Sequence, residues 1–129
     1  MTGNIVPSGD EDWYKFTAVD SADTSCDNLD VVVAFTANPG SVYRMDIYRG
    51  NCSDGDPCLN VVDLMEWYTN TTTGSGASKV GECPCSTSAT AHDLNQCNDQ
   101  SADFFVRVYR AAGAPVTCDN YTIRISNGV

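Results

Sequence analysis

Five stretches of this chain alternate apolar and polar residues with a period of two, and no stretch carries an apolar stripe at helical spacing. That alternation suits a strand with one face in a core and the other toward solvent. Trp13–Ala18 sets Tyr14 and Phe16 on one side, and Leu29–Phe35 sets Leu29, Val31, Val33 and Phe35 on one face. Tyr43–Arg49 turns Tyr43, Met45 and Ile47 inward, Phe104–Tyr109 does the same with Phe104, Val106 and Val108, and Tyr121–Ile125 with Tyr121, Ile123 and Ile125. A weaker run spans Val61–Tyr68, and Asn4-Ile5-Val6 is expected to form a short first strand. Turn residues separate the runs: Pro7-Ser8-Gly9-Asp10, Asn38-Pro39-Gly40, and Gly113 with Pro115. Short alternating strands with such punctuation predict an all-β fold, an antiparallel β-sandwich.

At 129 residues the chain has the size of one domain. It is read as a single domain over residues 1–129, with an irregular, cysteine-rich insertion at about 51–103 whose polar character is strongest over 69–103. Loops of that length are usually functional or mobile. The disulfides expected there would replace apolar contacts that the insertion lacks.

Seven cysteines, at 26, 52, 58, 83, 85, 97 and 118, point to an oxidising compartment. Zinc is disfavoured, because no Cys-x-x-Cys pair occurs, only Pro84 separates Cys83 from Cys85, and His92 is the sole histidine. The odd count leaves one thiol over, and roughly 105 pairings are open. Cys52 and Cys58 bracket a turn-rich loop, and Cys83 or Cys85 with Cys97 is the next candidate bridge. Cys26 and Cys118 each precede a strand, so they either pair or supply the odd thiol.

The formal charge of −10 argues against nucleic acid or an anionic membrane as the main partner. No apolar run reaches the roughly 20 residues of a membrane helix, so no membrane insertion is expected. The opening Met1-Thr2-Gly3-Asn4 lacks the features of a signal peptide. An export signal is expected upstream, with this chain as part of a larger multidomain protein, secreted or held at the cell surface.

Catalysis has little to stand on. His92 lies in the irregular region, no Gly-x-Ser-x-Gly elbow occurs, and Glu11, Glu66 and Glu82 are the only glutamates. The chain is therefore read as no enzyme.

Two binding readings remain. On the outward phase of their strands lie Trp13, Tyr48, Phe105 and Tyr109, together with Arg107. Aromatics beside arginines on an exposed sheet face suit a polysaccharide or an extracellular protein, if they share one face. Trp67 and Tyr68, at the edge of the polar insertion, are further stacking candidates; the competing reading puts the tryptophan in the core. The Asp10-Glu11-Asp12 turn is the candidate calcium site, since calcium takes six to eight oxygens. Against that, the same acids can shape the turn by local hydrogen bonds.

The string Gly3-Asn4-Ile5-Val6-Pro7-Ser8-Gly9-Asp10-Glu11-Asp12-Trp13-Tyr14-Lys15-Phe16 resembles the opening of bacterial pre-peptidase C-terminal domains. Phe105–Tyr109 and Tyr121–Ile125 are similar to that family's last two strands. The resemblance covers roughly the first 50 and last 27 residues; the cysteine-rich middle and the overall length depart from the family's pattern. It implies a jelly-roll-like β-sandwich attached to a secreted hydrolase. It also implies that calcium, collagen or polysaccharide binding, or a role in secretion, is to be expected. The expected function is a non-catalytic accessory module that binds a polymer; the alternative is a ligand-free spacer or export domain, calcium-stabilised or not.

Overall fold

Alternation along Asp12–Ala18 turns Tyr14, Phe16 and Ala18 toward the interior and leaves Trp13, Lys15 and Thr17 exposed. The same rule shapes the other long strands in the computed structural model, which describes residues 1–19, 31–50, 63–68, 80–81 and 101–127. In chain order the strands are β1 (Thr2–Gly3), β2 (Asp12–Ala18), β3 (Val31–Ala37), β4 (Tyr43–Arg49), β5 (Glu66–Tyr68), β6 (Val80–Gly81), β7 (Ala102–Arg110) and β8 (Tyr121–Asn127). A single 3-10 turn over Pro39–Ser41 joins β3 to β4. No helix among the described residues is long and apolar enough to cross a membrane.

The strands form two sheets, one ordered β1-β8-β3-β5-β6 and the other β2-β7-β4. All pairings are antiparallel except β5–β6, which is parallel. The inner faces of the two sheets bury one cluster, including Val31, Val33, Tyr43, Met45, Ile47, Trp67, Phe104, Val106, Val108, Tyr121 and Ile123. This is a β-sandwich: each sheet is apolar on one face and hides that face against the other. Aromatic contacts cross the interior, with Tyr43 and Tyr121 rings 5.0 Å apart and Trp67 and Phe104 rings 5.6 Å apart.

One edge of the sandwich is closed by a single short segment. Leu64 bridges Met45 of β4 through two backbone hydrogen bonds of 2.8 and 2.9 Å. Two residues later the chain pairs with β3 in the other sheet. Asp63, at φ 59°, turns the chain immediately before that bridge, and the change of sheet follows between Leu64 and Glu66.

Several sequence expectations need correction here. The first strand is Thr2–Gly3, not Asn4–Val6, because Gly3 alone can approach the Tyr121 side chain closely enough to pair with β8. Ile5 still enters the core, fully buried, from a non-strand segment. The second long run begins at Val31 and extends to Ala37; its earlier part lies outside the described residues. In β4 the alternation fails: Asp46 and Tyr48, on the outward phase, are only 4 % and 3 % exposed. Side chains from β2, β7 and the Asp63 turn cover them.

The cysteine-rich insertion, about 51–103, falls almost wholly outside the described residues, as do Cys26, Cys52, Cys58, Cys83, Cys85 and Cys97. Cys118, a bridge candidate from sequence, is described: its thiol is exposed and free.

Candidate functional site

The outer face of the three-stranded sheet gathers the outward residues of β2, β7 and β4. Register sets them in rows. Trp13 lies opposite Arg107, which lies opposite Asp46; Lys15 lies opposite Phe105, which lies opposite Tyr48. Tyr109 and Arg44 form the next row toward one end, and Thr17 and Asp103 the row at the other. Residues opposite one another on an antiparallel ladder share a face, so one surface holds all of them.

Trp13 anchors the face. It is 38 % exposed, and its indole reaches across β7 to Tyr48, with ring centroids 5.3 Å apart. Its Nε1 donates to Glu11 Oε1 at 2.9 Å. Glu11 and Trp13 stand two apart in sequence, so period two brings both to the same side. The other Glu11 oxygen accepts from Arg107 Nε. These ties hold the indole at both ends: the nitrogen by a carboxylate, the ring by Tyr48.

Arg107 is the hub. Its guanidinium lies 6.0 Å from the Trp13 ring centroid and 5.1 Å from that of Tyr109, and Nη1 is 3.5 Å from Asp46 Oδ2. Burial by itself would favour the neutral guanidine, but hydrogen bonds with Tyr48 and Glu11 outweigh it and raise the Arg107 pKa. Glu11 moves the other way: the hydrogen bond from Trp13, then Arg107, holds its carboxyl below the usual range.

Beneath this surface Asp46 is buried and satisfied. It accepts from Tyr109 Oη at 2.6 Å and from the Asp63 backbone N–H at 3.0 Å. The Tyr109 hydroxyl also lies 2.8 Å from Asp63 Oδ1. Burial, then the two carboxylates, raises the Tyr109 pKa, because an anionic phenolate beside them is unfavourable. A buried carboxylate without such partners would cost several kcal/mol, so this network permits Asp46 to sit under the face.

At the other end Lys15 pairs with Asp103 at 2.8 Å and lies 5.6 Å from the Phe105 ring centroid. Both groups reach well into solvent, so this exposed pair contributes little to stability.

Beside Glu11 the surface dips into an open cleft of about 370 Å³. The turn Ser8-Gly9-Asp10 forms one wall and Ala111–Ala114 the other, with Glu11, Arg107 and Tyr109 between them. Gly9 at φ 93° and Gly113 at φ 76° take left-handed conformations that form those two turns. Arg110 also lines the cleft, but its donors are spent on the carbonyls of Ile5, Pro115 and Thr117 and on Tyr43 Oη.

Of the residues singled out from sequence, Trp13, Tyr48, Phe105, Arg107 and Tyr109 thus share one face. Tyr48 lies beneath Trp13 and does not reach solvent. Trp67 has no place on this face: it is fully buried against Phe104, as the core reading requires. Tyr68 belongs to β5, in the other sheet; its side chain lies outside the described residues.

Asp10, Glu11 and Asp12 do not converge. Glu11 points to the outer face, whereas Asp12 points inward and accepts from Tyr121 Oη at 2.5 Å. Asp10 stays in the turn, its backbone N–H bonded to Pro7 O at 3.2 Å. With Glu11 and Asp12 engaged on opposite faces, the three acids as arranged do not fit calcium. Among the described residues no three His, Cys, Asp or Glu side chains cluster as metal ligands.

Sequence reasoning missed Asp46, Asp63 and the use of Glu11 as a tie for Trp13. The Glu11–Trp13 spacing was a legible signal. Asp46 and Asp63 had none, because their roles depend on cross-strand register. The chain matches no family model, no curated protein and no solved structure with which it was compared.

Proposed function

We propose that the chain is a non-catalytic accessory module of a secreted or cell-surface bacterial protein, and that it holds a polymer on the outer face of its three-stranded sheet. The observation that carries this reading is Trp13. A large aromatic that is 38 % exposed, yet tied through Glu11 and Tyr48, is a preorganised contact surface. Rigid aromatics bind at low entropic cost and dominate the energetics of recognition sites. Arg107, Tyr109 and the adjoining cleft supply polar partners at its edge.

The resemblance to pre-peptidase C-terminal domains supports the same reading, along with a jelly-roll ancestry for the sandwich. The segments that carry it form β1–β2 and β7–β8, and these pair with each other: β1 with β8 and β2 with β7. The cysteine content supports export. The free, exposed Cys118 suits the one thiol that an odd count leaves over.

The test is retention of the folded protein on insoluble polysaccharides and on collagen, with Trp13→Ala as the control. Binding of the native protein and its loss in the variant support the module. Failure across the whole panel favours a ligand-free spacer.

A further inference from the structure

The charge arrangement on the Trp13 face identifies its ligand class. We propose that the face and its adjoining cleft bind an uncharged, hydroxyl-rich chain, a neutral polysaccharide; this rests on the binding-module reading above.

The cations of the face are already engaged. Arg107 is neutralised by Glu11 and approached by Asp46, and Lys15 by Asp103. Arg44, at the β4 end, gives its Nη1 to the carbonyls of Ser41 and Tyr43. A polyanion would therefore have to displace an existing carboxylate on a protein of formal charge −10. A polycation would be drawn by that net charge, but in the cleft it would meet the Arg107 guanidinium beside the carboxylate it needs. Neither sign is complemented there.

A hydroxyl group is both donor and acceptor, and the cleft offers both at once: guanidinium N–H groups of Arg107 and carboxylate oxygens of Asp10 and Glu11. The indole of Trp13 is joined to the cleft through Glu11, which lines it and accepts from Nε1. Its exposed ring suits the C–H face of a sugar, and the polar cleft suits the hydroxyls of the next unit. At about 370 Å³ the cleft is at the small end of ligand sites, which run roughly 300–1,000 Å³, as expected for a short stretch of a longer chain. A peptide would bring apolar side chains and backbone amides to a cleft whose walls are mainly polar, so protein is the less complementary partner.

The experiment is affinity electrophoresis through gels containing neutral glucans, mannans or xylans, a polyuronate, chitosan, or gelatin, at low and high salt. Trp13→Ala and Trp13→Tyr are run beside the native protein, with melting curves to verify their folds. Iodide quenching of native tryptophan fluorescence gives a second readout independent of any variant. Of the two tryptophans, Trp13 is exposed and Trp67 buried, so the quenchable signal belongs to Trp13.

Retardation by a neutral polysaccharide, insensitive to salt, with roughly tenfold loss in Trp13→Ala, partial retention in Trp13→Tyr and protection from iodide, is the expected result. Neutral-glycan binding that leaves Trp13→Ala unaffected and Trp13 quenchable overturns the site. Trp13-dependent retention only by the polyuronate, chitosan or gelatin overturns the ligand class and leaves the binding-module reading standing. Absence of retention by every polymer overturns both.

Discussion

The Tyr121 hydroxyl donates to Asp12 Oδ2 across 2.5 Å, joining β8 of one sheet to β2 of the other. Tyr14 Oη lies 2.7 Å from the same hydroxyl, so two phenols and a carboxylate meet where the sheets approach. Burial, then Asp12 and Tyr14, raises the Tyr121 pKa. This inward network is the counterpart of the Glu11–Trp13–Arg107 arrangement on the other side of β2: adjacent acids at the start of that strand serve two different jobs.

Removing the Tyr121 hydroxyl should be costly. Tyr121→Phe leaves Asp12 and Tyr14 without their shared partner and is expected to destabilise by about 1–3 kcal/mol. Asp12→Asn keeps an acceptor and should cost less. Urea denaturation of both variants measures the order, and an equal or reversed order would show that the carboxylate charge, not the hydrogen bond, matters.

Gly3 is fixed by the same network. A Cβ there would lie 2.5 Å from Tyr121 Oη and 2.6 Å from Asp12 Oδ2, closer than atoms tolerate. Gly3→Ala is therefore expected to cost about 1–3 kcal/mol and to loosen β1 from β8. Hydrogen exchange should show faster exchange of β1 amides, with the β2–β7 ladder unchanged.

Trp67 separates packing from hydrogen bonding. Its ring is fully buried, and its Nε1 has no hydrogen-bond partner among the described residues. Trp67→Ala should cost about 3–5 kcal/mol through the cavity it leaves. Trp67→Phe loses no hydrogen bond and should cost only about 1–2 kcal/mol. Chemical denaturation gives both values; a phenylalanine as costly as alanine would mean that the indole N–H is satisfied in solution.

Stability should fall at both ends of the pH scale for identifiable reasons. Glu11 is held below its ordinary pKa by Trp13 and then Arg107, so its contribution is present above roughly pH 4.3 and is lost as pH drops through the folded-state value. Glu11→Gln should flatten part of the acid fall in Tm. Tyr121 and Tyr109 are shifted up, so what they contribute is present below roughly pH 10 and is lost as pH rises through their folded values. Absorbance at alkaline pH should show Tyr109 and Tyr121 ionising above the ordinary phenol range or only on unfolding.

Much of the inner face was readable from the chain alone. Tyr43, Met45 and Ile47, and Phe104, Val106 and Val108, were assigned to the core by alternation, and all are buried. The outward set was readable as a phase but not as a surface. Trp13, Phe105, Arg107 and Tyr109 share a face because β2 and β7 pair in one register. A shift of that register by one residue would have turned Trp13 away from the three β7 residues, which alternate on one strand. Exposure was less legible still. Tyr48 and Asp46 have the outward phase yet are covered, by the Trp13 indole in one case and by Tyr109, Arg107 and the Asp63 turn in the other.

The order of residues along the chain determined where strands run, which side chains alternate to each face, and that Glu11 would stand on the same side as Trp13 but opposite Asp12. Those are local properties, set by backbone geometry that repeats every second residue. Only the tertiary structure decided which strands lie side by side, that Trp67 fills the core, and that Arg107 meets Glu11, Asp46 and two aromatic rings at one point. Those outcomes depend on contacts between residues far apart in sequence, whose register is settled by burying two apolar faces together and not by any short stretch of chain.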